Sequence, residues 1–359
     1  MNKIIRFLLT IAVSSALFAC SSTSEVPEGD RLYTGLEPIK YTDYESNEHF
    51  TATQEEIEAA LDCPPNGAIF GSSYYRSPFP YSLWIWNAFH ESESPIGKWV
   101  TKTFGNQPVL MSWVNPALRA SVAQSQLRNH GYFRGTVNYE EKPYSKHPKA
   151  KIAYHVDCGH LFTIDTVTYS NFPLNADSLI AASADEAKIK SGSPFDVVSL
   201  DAERNRLSNL FRNNGYYYYQ PSYASYRADT VNTPGKVKLD VELADNLPEK
   251  ALKKWYIGNI SINLRRTFME ELKDSIHYYF FRAYFNGKKP PVRPRVIMSD
   301  MKLRHGQPYD YSKHTESNNR IASKGMFSSV DFQFTPRDTT AACDTLDLLL
   351  NCVFDKPYD

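Results

Sequence analysis

The chain has 359 residues, and its 40 Lys and Arg balance 40 Asp and Glu, so its formal net charge is zero. That balance argues against a nucleic-acid binder or a polybasic membrane-surface protein. Hydrophobic residues make up 42% of the chain and charged residues 22%, which indicates folded domains rather than disorder. At about 100–150 residues per domain, the length predicts two or three domains. The abundance of Tyr and Phe favours strands.

The N-terminus has the pattern of a bacterial export signal. Lys3 and Arg6 precede an apolar run that is too short to cross a bilayer, and small residues follow it. Leu17-Phe18-Ala19-Cys20 resembles a lipobox, in which the cysteine is lipidated and begins the mature chain. We predict a lipoprotein signal peptide over residues 1–19, lipidation at Cys20 and a tether over 20–28. The alternative is an ordinary secretory peptide with an incidental cysteine. No later segment is apolar enough for a transmembrane helix.

Four further cysteines must be placed in an exported protein, where disulfides can persist. Cys343 and Cys352 lie along one predicted strand, which separates them beyond the roughly 5.5–6 Å Cα spacing that a disulfide needs. For Cys63 and Cys158, a disulfide and two buried free thiols both remain open.

Motifs for catalysis or metal binding are not found in the sequence. There is no Gly-x-Ser-x-Gly elbow and no Walker-type loop, and Ser94 stands where a zincin motif beginning at His90 needs its second histidine. His155, Cys158 and His160 are close in sequence, but odd spacing on a strand puts Cys158 opposite His155. We expect no enzyme activity, no cofactor and no metal.

An internal repeat organises the rest of the chain. A glycine–aromatic step recurs in three segments: His130-Gly131-Tyr132-Phe133, Asn214-Gly215-Tyr216-Tyr217 and Lys324-Gly325-Met326-Phe327. At a nearly constant distance after each glycine comes an alternating apolar run, beginning at Ile152, Val237 and Leu346. A Gly-x-x-aromatic step is also shared, ending at Phe162, Phe195 and Tyr309. Repeated offsets predict three copies of one supersecondary unit.

Each copy can be interpreted as strand, helix, helix, strand, strand. The second helices are predicted over 115–129 and 199–213, with apolar residues one turn apart, and each ends at the glycine of the repeat, which supplies a left-handed cap. Gly131, Gly215 and Gly325 are therefore structural. Capping boxes at Thr53 and Thr267 predict first helices, which bury Ile57 and Leu61 in the first copy and Leu272 and Ile276 in the third. The predicted class is α+β, with a three-stranded mixed sheet and two helices on one face in each module.

That order, with the glycine–aromatic step and the alternating last strand, resembles the POTRA domain of outer-membrane assembly factors. The residues 83–89, 97–99, 108–110 and 114–116, together with 26–30 after the lipid anchor, resemble the TamL-like lipoproteins of the BamA/TamA superfamily, Bacteroidetes type. The resemblance covers essentially the whole mature chain.

The resemblance divides the chain into three POTRA-like modules. We expect the first over 29–158, with an aromatic-rich insertion at 64–108, the second over 159–246 and the third over 250–356. The family continues into a C-terminal transmembrane β-barrel, and no row of alternating segments for one follows here. We therefore expect the periplasmic arm of a truncated or fragmentary protein.

The resemblance also implies a function and partners. It implies an arm anchored by lipid to the outer membrane, on its periplasmic face, that serves outer-membrane protein assembly or translocation. The implied partners are a TamB-like periplasmic protein and unfolded outer-membrane clients, with no nucleic acid. Such modules can bind extended chains by β-augmentation, in which a client pairs with an exposed edge strand. The alternative is an outer-membrane lipoprotein binding module without an assembly role.

Two aromatic segments are candidate binding sites. Tyr216, Tyr217, Tyr218 and Tyr219 precede Pro221, which predicts an edge strand with tyrosines on both faces for client contact. The alternative is that one tyrosine face fills the core.

In the insertion, aromatic residues are candidates for docking to a membrane or barrel: Trp84, Trp86, Phe89 and Trp99. The alternative is an aromatic mini-core over the first module, which the Pro and Gly residues of this segment favour.

Overall fold

The computed structural model describes residues 22–231 and 233–355, so the predicted signal peptide and Cys20 lie outside the described residues. The chain forms two compact units. The first comprises the residues up to Thr163 with Pro194–Val197, and the second comprises Ile164–Ser193 and the residues from Val198 onward. Both units combine mixed sheets with helices, so the predicted α+β class is confirmed.

The sheet of the first unit is built around one central strand. Its strands are β1 (Leu32–Leu36), β2 (Lys40–Thr42), β3 (Thr136–Pro143) and β4 (Lys149–Asp157). β3 pairs antiparallel with β4 along its length, whereas β1 and β2 both pair parallel with β4 at successive positions. β1 and β2 therefore form one interrupted edge strand on the side of β4 opposite β3.

Two helices cover this sheet, two more belong to the insertion, and a short helix follows the insertion. The covering helices are α1 (Glu48–Leu61) and α5 (Pro116–Asn129), the insertion contributes α2 (Tyr81–Phe89) and α3 (Pro95–Phe104), and the short helix is α4 (Met111–Val114). Apolar residues on α1 and α5 share one buried core with β4: Ile57, Leu61, Ala123, Leu127, Ile152 and Tyr154. The helix predicted over 115–129 is confirmed, with Asn115 as its N-cap.

The capping box predicted at Thr53 is wrong. Helix α1 begins at Glu48, because the side chain of Asn47 accepts the amide of Phe50 at 2.8 Å and caps it there. Thr53 is fully buried inside the helix, and its hydroxyl donates to the carbonyl of His49. Ile57 and Leu61 lie on the buried face as predicted.

The second unit contains a three-stranded and a five-stranded sheet. The first has the order β5-β7-β6, formed by β5 (Thr163–Ser170), β6 (Ala224–Asp229) and β7 (Lys236–Leu243). The second has the order β11-β12-β8-β10-β9, formed by β8 (Tyr256–Arg265), β9 (Asp274–His277), β10 (Phe281–Phe285), β11 (Phe327–Pro336) and β12 (Thr345–Phe354). The helices are α6 (Leu174–Ala182), α7 (Val197–Asn213), α8 (Pro294–Asp300) and α9 (Tyr311–Ala322), with three short 3-10 turns at Ala184–Glu186, Pro221–Tyr223 and Glu249–Ala251.

One strand order is common to the three sheets. The last strand of each copy (β4, β7 or β12) is central, with the first strand on one side and the middle strand on the other. β12 pairs parallel with β8 and antiparallel with β11, as β4 does with β1 and β3. The threefold repeat that the glycine offsets predict is therefore present, although the first and third sheets carry additional strands.

The helix predicted from Thr267 is wrong. Ile276 lies in strand β9, opposite Ala283 of β10, and β10 in turn pairs parallel with β8. The carboxylate of Glu270 accepts the amide of Arg266 instead of capping a helix at Thr267. The tyrosines and phenylalanines that follow favour strands, and the edge of β8 supplies the hydrogen bonds that complete them. Helix α8 occupies the place of the first helix in this copy.

All four cysteines of the described chain are free thiols. Cys158, Cys343 and Cys352 are buried, and Cys63 is half-buried. Burial raises the pKa of Cys158 to about 11 and that of Cys352 to about 12. Across residues 22–231 and 233–355, no helix combines the length and the apolarity needed to cross a membrane.

Candidate interaction surfaces

Two of the three glycine–aromatic steps each begin a short relay of backbone hydrogen bonds, which we call a backbone joint. In the first unit, the carbonyl of Gly131 accepts the amide of Phe162 at 3.0 Å, and the carbonyl of Phe162 accepts the amide of Phe195 at 2.9 Å. The ring of Phe133 packs on both of these phenylalanines, with centroids 5.0 and 4.9 Å away. Gly131 has φ +86°, and a Cβ there would lie 2.7 Å from the carbonyl oxygen of Phe195. Only glycine fits this position without a shift of backbone.

The second unit repeats this joint with different side chains. The carbonyl of Gly215 accepts the amide of Trp255, and the carbonyl of Trp255 accepts the amide of Tyr309, both at 2.8 Å. Gly215 has φ +102°, as its predicted cap role requires. Gly325 also has positive φ, +67°, but among the described residues nothing lies within 4 Å of a Cβ placed there. The joint is therefore built twice.

The strand predicted for the four tyrosines is wrong. Residues 216–219 form a turn after α7, and Pro221 opens a 3-10 helix before β6 begins at Ala224. Tyr216 and Tyr219 are buried against Phe211 of α7. The joint is the reason for this departure, because the chain must turn at Gly215 to meet Trp255.

The two middle tyrosines belong to the same joint. Tyr218 packs on Trp255 at 5.2 Å, and Tyr217 packs on Tyr309 and Phe334 at 4.8 and 5.3 Å between ring centroids. Rings held in this way cannot present two faces to an extended client. The alternative, in which tyrosines fill the core, describes Tyr216 and Tyr219.

The outer edges of the first strands are partly or wholly covered. In the first unit, the amide of Tyr33 in β1 donates to the carbonyl of Val109, and the amide of Met111 donates to the carbonyl of Arg31, both at 2.9 Å. In the five-stranded sheet, β10 occupies the edge of β8. β5 is covered at its start, where the amide of Ile164 donates to the carbonyl of Ser193. These edges have little room for another strand.

The middle strands β3, β6 and β11 end their sheets and pair on one side only within the described part of the chain. Charged residues discourage edge pairing, and β3 carries Glu140, Glu141 and Lys142 in succession. β6 is the shortest of the three, and Arg227 on it forms an ion pair with Glu242 at 2.7 Å. β3 and β6 are therefore blunted edges.

β11 is the longest of these edges and the least protected. It runs for 10 residues, and Asp331 is its only charged residue. Val330, Phe332 and Phe334 alternate toward the core, and His314 of α9 packs on the two phenylalanine rings at 4.9 and 5.0 Å. The sequence shows this alternation, but it does not reveal that β11 lies at an edge, because that depends on the order of all five strands.

The insertion forms a helical hairpin with exposed rings. On α2, Leu83 is fully buried, while Trp84 and Trp86 are half-buried and pack with Tyr81 and His90 respectively. Five large hydrophobic side chains of the hairpin are exposed: Tyr81, Phe89, Ile96, Trp99 and Phe104. The hairpin therefore combines a small packed aromatic cluster with an exposed apolar surface.

The hairpin also meets the start of the described chain. Nε2 of His90 lies 3.4 Å from Oε2 of Glu25. Glu25 is five residues after Cys20 in the sequence.

Comparisons with known proteins give structural neighbours only. No protein-family model matches the chain, and no curated protein matches it.

Among solved structures, the chain is similar to POTRA domains 3–5 of BamA from Haemophilus influenzae, at 10% identity and a TM-score of 0.40, over 92% of this chain and 100% of that one. It is similar to POTRA domains 1–3 of Omp85 from Anabaena, at 12% identity and a TM-score of 0.26, over 92% and 98%. It is similar to the N-terminal domain of Omp85 from Thermosynechococcus elongatus, at 15% identity and a TM-score of 0.25, over 74% and 94%. These TM-scores are low, so the description of the fold rests on the strand order of the sheets.

Proposed function

We propose that this chain is the periplasmic arm of an outer-membrane protein assembly or translocation factor, and that it binds extended client segments by β-augmentation at β11. The observation that carries the proposal is the edge itself, a strand of 10 residues with one charge. An unprotected edge strand of this length can pair with another chain, either in aggregation or in the binding of an extended partner.

Pairing at β11 has a defined chemistry. The client main chain would hydrogen-bond to the free edge of β11, and alternate client side chains would extend the face formed by Val330, Phe332 and Phe334. Main-chain pairing places few demands on the client sequence, which suits an arm that handles many barrel strands. The affinity for a short peptide is expected in the micromolar to millimolar range, because the peptide must be ordered on binding.

Site-specific photo-crosslinking tests the edge. A photoreactive residue at Ser329 or Thr335, both exposed on β11, should crosslink a defined peptide from an outer-membrane barrel strand. The matched control is the same residue at Asn138, which is exposed on the charged edge strand β3. Equal crosslinking at β3 and β11 would contradict the choice of edge.

Peptide N-methylation separates main-chain pairing from side-chain binding. In an extended peptide, the amides of alternate residues point to the same side. Methylating these amides keeps every side chain but removes the hydrogen-bond donors on that side of the peptide. One of the two alternate sets should abolish binding, and the other should leave it nearly unchanged. If both sets bind alike, and amide shifts cluster at the cavity lined by Ile260, Phe281 and Met298, the alternative of a binding module without an assembly role is favoured.

We further propose that Cys20 is lipidated and that the hairpin of α2 and α3 lies against the outer membrane. The contact between His90 and Glu25 supports this, since Glu25 is five residues after the predicted anchor in the sequence. Trp99→Ala combined with Ile96→Ser should reduce binding of the unlipidated protein to anionic vesicles, and Val231→Ser is a control because Val231 is exposed elsewhere. Mass spectrometry of the mature N-terminus tests Cys20. A TamB-like partner follows only from the sequence resemblance and can be tested by pull-down with the purified protein.

A further inference from the structure

Three side chains from distant parts of the sequence meet in the first unit. His49 lies in the first turn of α1, His130 caps the end of α5, and Asp196 lies just before α7. One nitrogen or carboxylate oxygen from each residue lies within 4.8 Å of the other two. Histidine nitrogen and carboxylate oxygen are ligand types that zinc accepts.

His130 is buried, and its hydrogen bonding is incomplete. The residue is 3% exposed, and among the described residues neither ring nitrogen has a hydrogen-bond partner of good geometry. Nε2 lies 3.0 Å from Oε2 of Glu56, and Nδ1 lies 3.6 Å from Oδ1 of Asp196. A buried polar ring without satisfied bonds is costly and rare, so a group that completes it is expected here.

The distances fit a shared cation between His130 and Asp196. Two ligand bonds of about 2.0–2.1 Å at a tetrahedral angle place the ligand atoms about 3.3 Å apart. The separation of 3.6 Å between Nδ1 and Oδ1 is close to this value and is long for a hydrogen bond. On the other side of the ring, Oε2 of Glu56 lies 3.0 Å from Nε2, close but not well aligned, and a carboxylate in such a place commonly orients a zinc-binding histidine.

His49 is prepared for the same role. Its Nε2 lies 2.8 Å from the carbonyl oxygen of His130. A carbonyl can only accept, so Nε2 carries the proton and Nδ1 keeps the lone pair that a metal ion needs. A backbone carbonyl in this position is a common way to fix the tautomer of a metal ligand.

We propose that His49, His130 and Asp196 bind one divalent transition-metal ion of the zinc class, with water at the remaining position and with Glu56 orienting His130. Two nitrogens and one carboxylate select zinc, cobalt or nickel over calcium and magnesium, which prefer oxygen ligands. The ion would tie α1 and α5 to the segment that carries Asp196, and it is independent of client binding at β11.

Metal titration of the full mature chain tests the site. After treatment with a chelator, isothermal titration with Zn²⁺ should show one site per chain with micromolar or tighter affinity. Co²⁺ should give a visible spectrum without a thiolate charge-transfer band, which separates this site from the four free cysteines. Asp196→Asn and His49→Gln should each weaken binding at least about 10-fold, and Glu56→Gln should weaken it by about 10- to 100-fold.

The control is His147→Gln, which changes an exposed histidine in the turn between β3 and β4 and should bind zinc like the parent. Circular dichroism of the metal-free variants shows whether each has folded. The proposal is overturned if the folded parent binds neither Zn²⁺ nor Co²⁺ at 100-fold excess, in which case the ring of His130 has only its contacts with Glu56 and Asp196. It is also overturned if Asp196→Asn and His49→Gln bind as tightly as the parent.

Discussion

Glu203 and Arg206 form a two-point ion pair inside the second unit. Oε1 of Glu203 lies 2.6 Å from Nη2 of Arg206, and Oε2 lies 2.9 Å from Nε. Glu203 is fully buried, and its carboxylate also accepts the Tyr169 hydroxyl at 2.7 Å and the Lys188 amide at 2.8 Å. Burial acts to raise the pKa of Glu203, but these hydrogen bonds outweigh it and the pKa is lowered.

Glu203→Gln should therefore destabilise the second unit strongly. The substitution keeps the shape of the side chain but leaves the guanidinium of Arg206 buried without a counter-charge, at a cost of about 3–5 kcal/mol. The measurement is urea unfolding followed by circular dichroism. Asp201→Asn is the matched control, since Asp201 forms an exposed pair with Arg204 on the same helix and should cost less than about 1 kcal/mol. Similar losses for the two variants would show that the buried pair has no special role.

Gly131→Ala and Gly325→Ala separate two effects at positive φ. Both variants place a side chain in the left-handed region, at a cost of roughly 1–2 kcal/mol. Only at Gly131 does the new Cβ also meet backbone, 2.7 Å from the carbonyl oxygen of Phe195. Gly131→Ala should therefore lower the free energy of unfolding more than Gly325→Ala. Calorimetry measures the loss of unfolding free energy in each variant. If Gly131→Ala loses no more than Gly325→Ala, the close contact at Gly131 is refuted.

His314 should make the second unit sensitive to acid. Burial, with the nearby charge of Arg212, lowers the pKa of His314 to about 4, and the hydroxyl of Tyr309 lies 3.0 Å from its Nδ1. In the unfolded chain this histidine titrates near its ordinary value of about 6.5. The unfolded state therefore binds the extra proton, and stability that is fully present above about pH 6.5 is lost as the pH falls toward 4.

A pH series of urea midpoints checks this dependence. His314→Gln should flatten the loss between about pH 6.5 and 4, because the group that takes up the proton on unfolding is gone. His277→Gln, at an exposed position on β9, should leave the slope unchanged. If His314→Gln follows the parent across this range, another group carries the acid sensitivity.

The cysteines should react as separate thiols with different accessibility. Cys158 and Cys352 are buried with raised pKa values of about 11 and about 12, so they should resist an alkylating reagent at pH 8 in the native protein. Cys63 is half-buried and should react faster. Mass spectrometry after alkylation in urea, with and without a reductant, should count the same number of modified thiols. If the reductant adds two modified thiols to this count, Cys63 and Cys158 form a disulfide.

Local patterns predicted the second helix of the first two copies and the repeat correctly. Leu207 and Phe211 lie one turn apart and are buried on α7, and Ala123 and Leu127 do the same on α5. The glycine offsets predicted a threefold repeat because each glycine adopts a conformation that other residues rarely take. These features depend on residues within about one or two helical turns, so a single sequence contains them.

The remaining features depend on contacts between distant parts of the sequence. The capping pattern at Thr267 could not show that the edge of β8 would draw the following residues into β9 and β10. The tyrosine run could not show that Gly215 must turn the chain toward Trp255. His49 and His130 come together only after two helices have packed, so no spacing rule could find that cluster.

The two backbone joints have a consequence for how this chain can evolve. At each joint the glycine carbonyl accepts the amide of an aromatic residue, yet that residue is Phe162 in one case and Trp255 in the other. An amide is present in every residue except proline, so the joint survives most substitutions at those positions and restricts mainly the glycine. Related chains can therefore lose recognisable sequence identity while the repeat itself is inherited, and a search for relatives will be more sensitive to the spacing of glycines than to matching side chains.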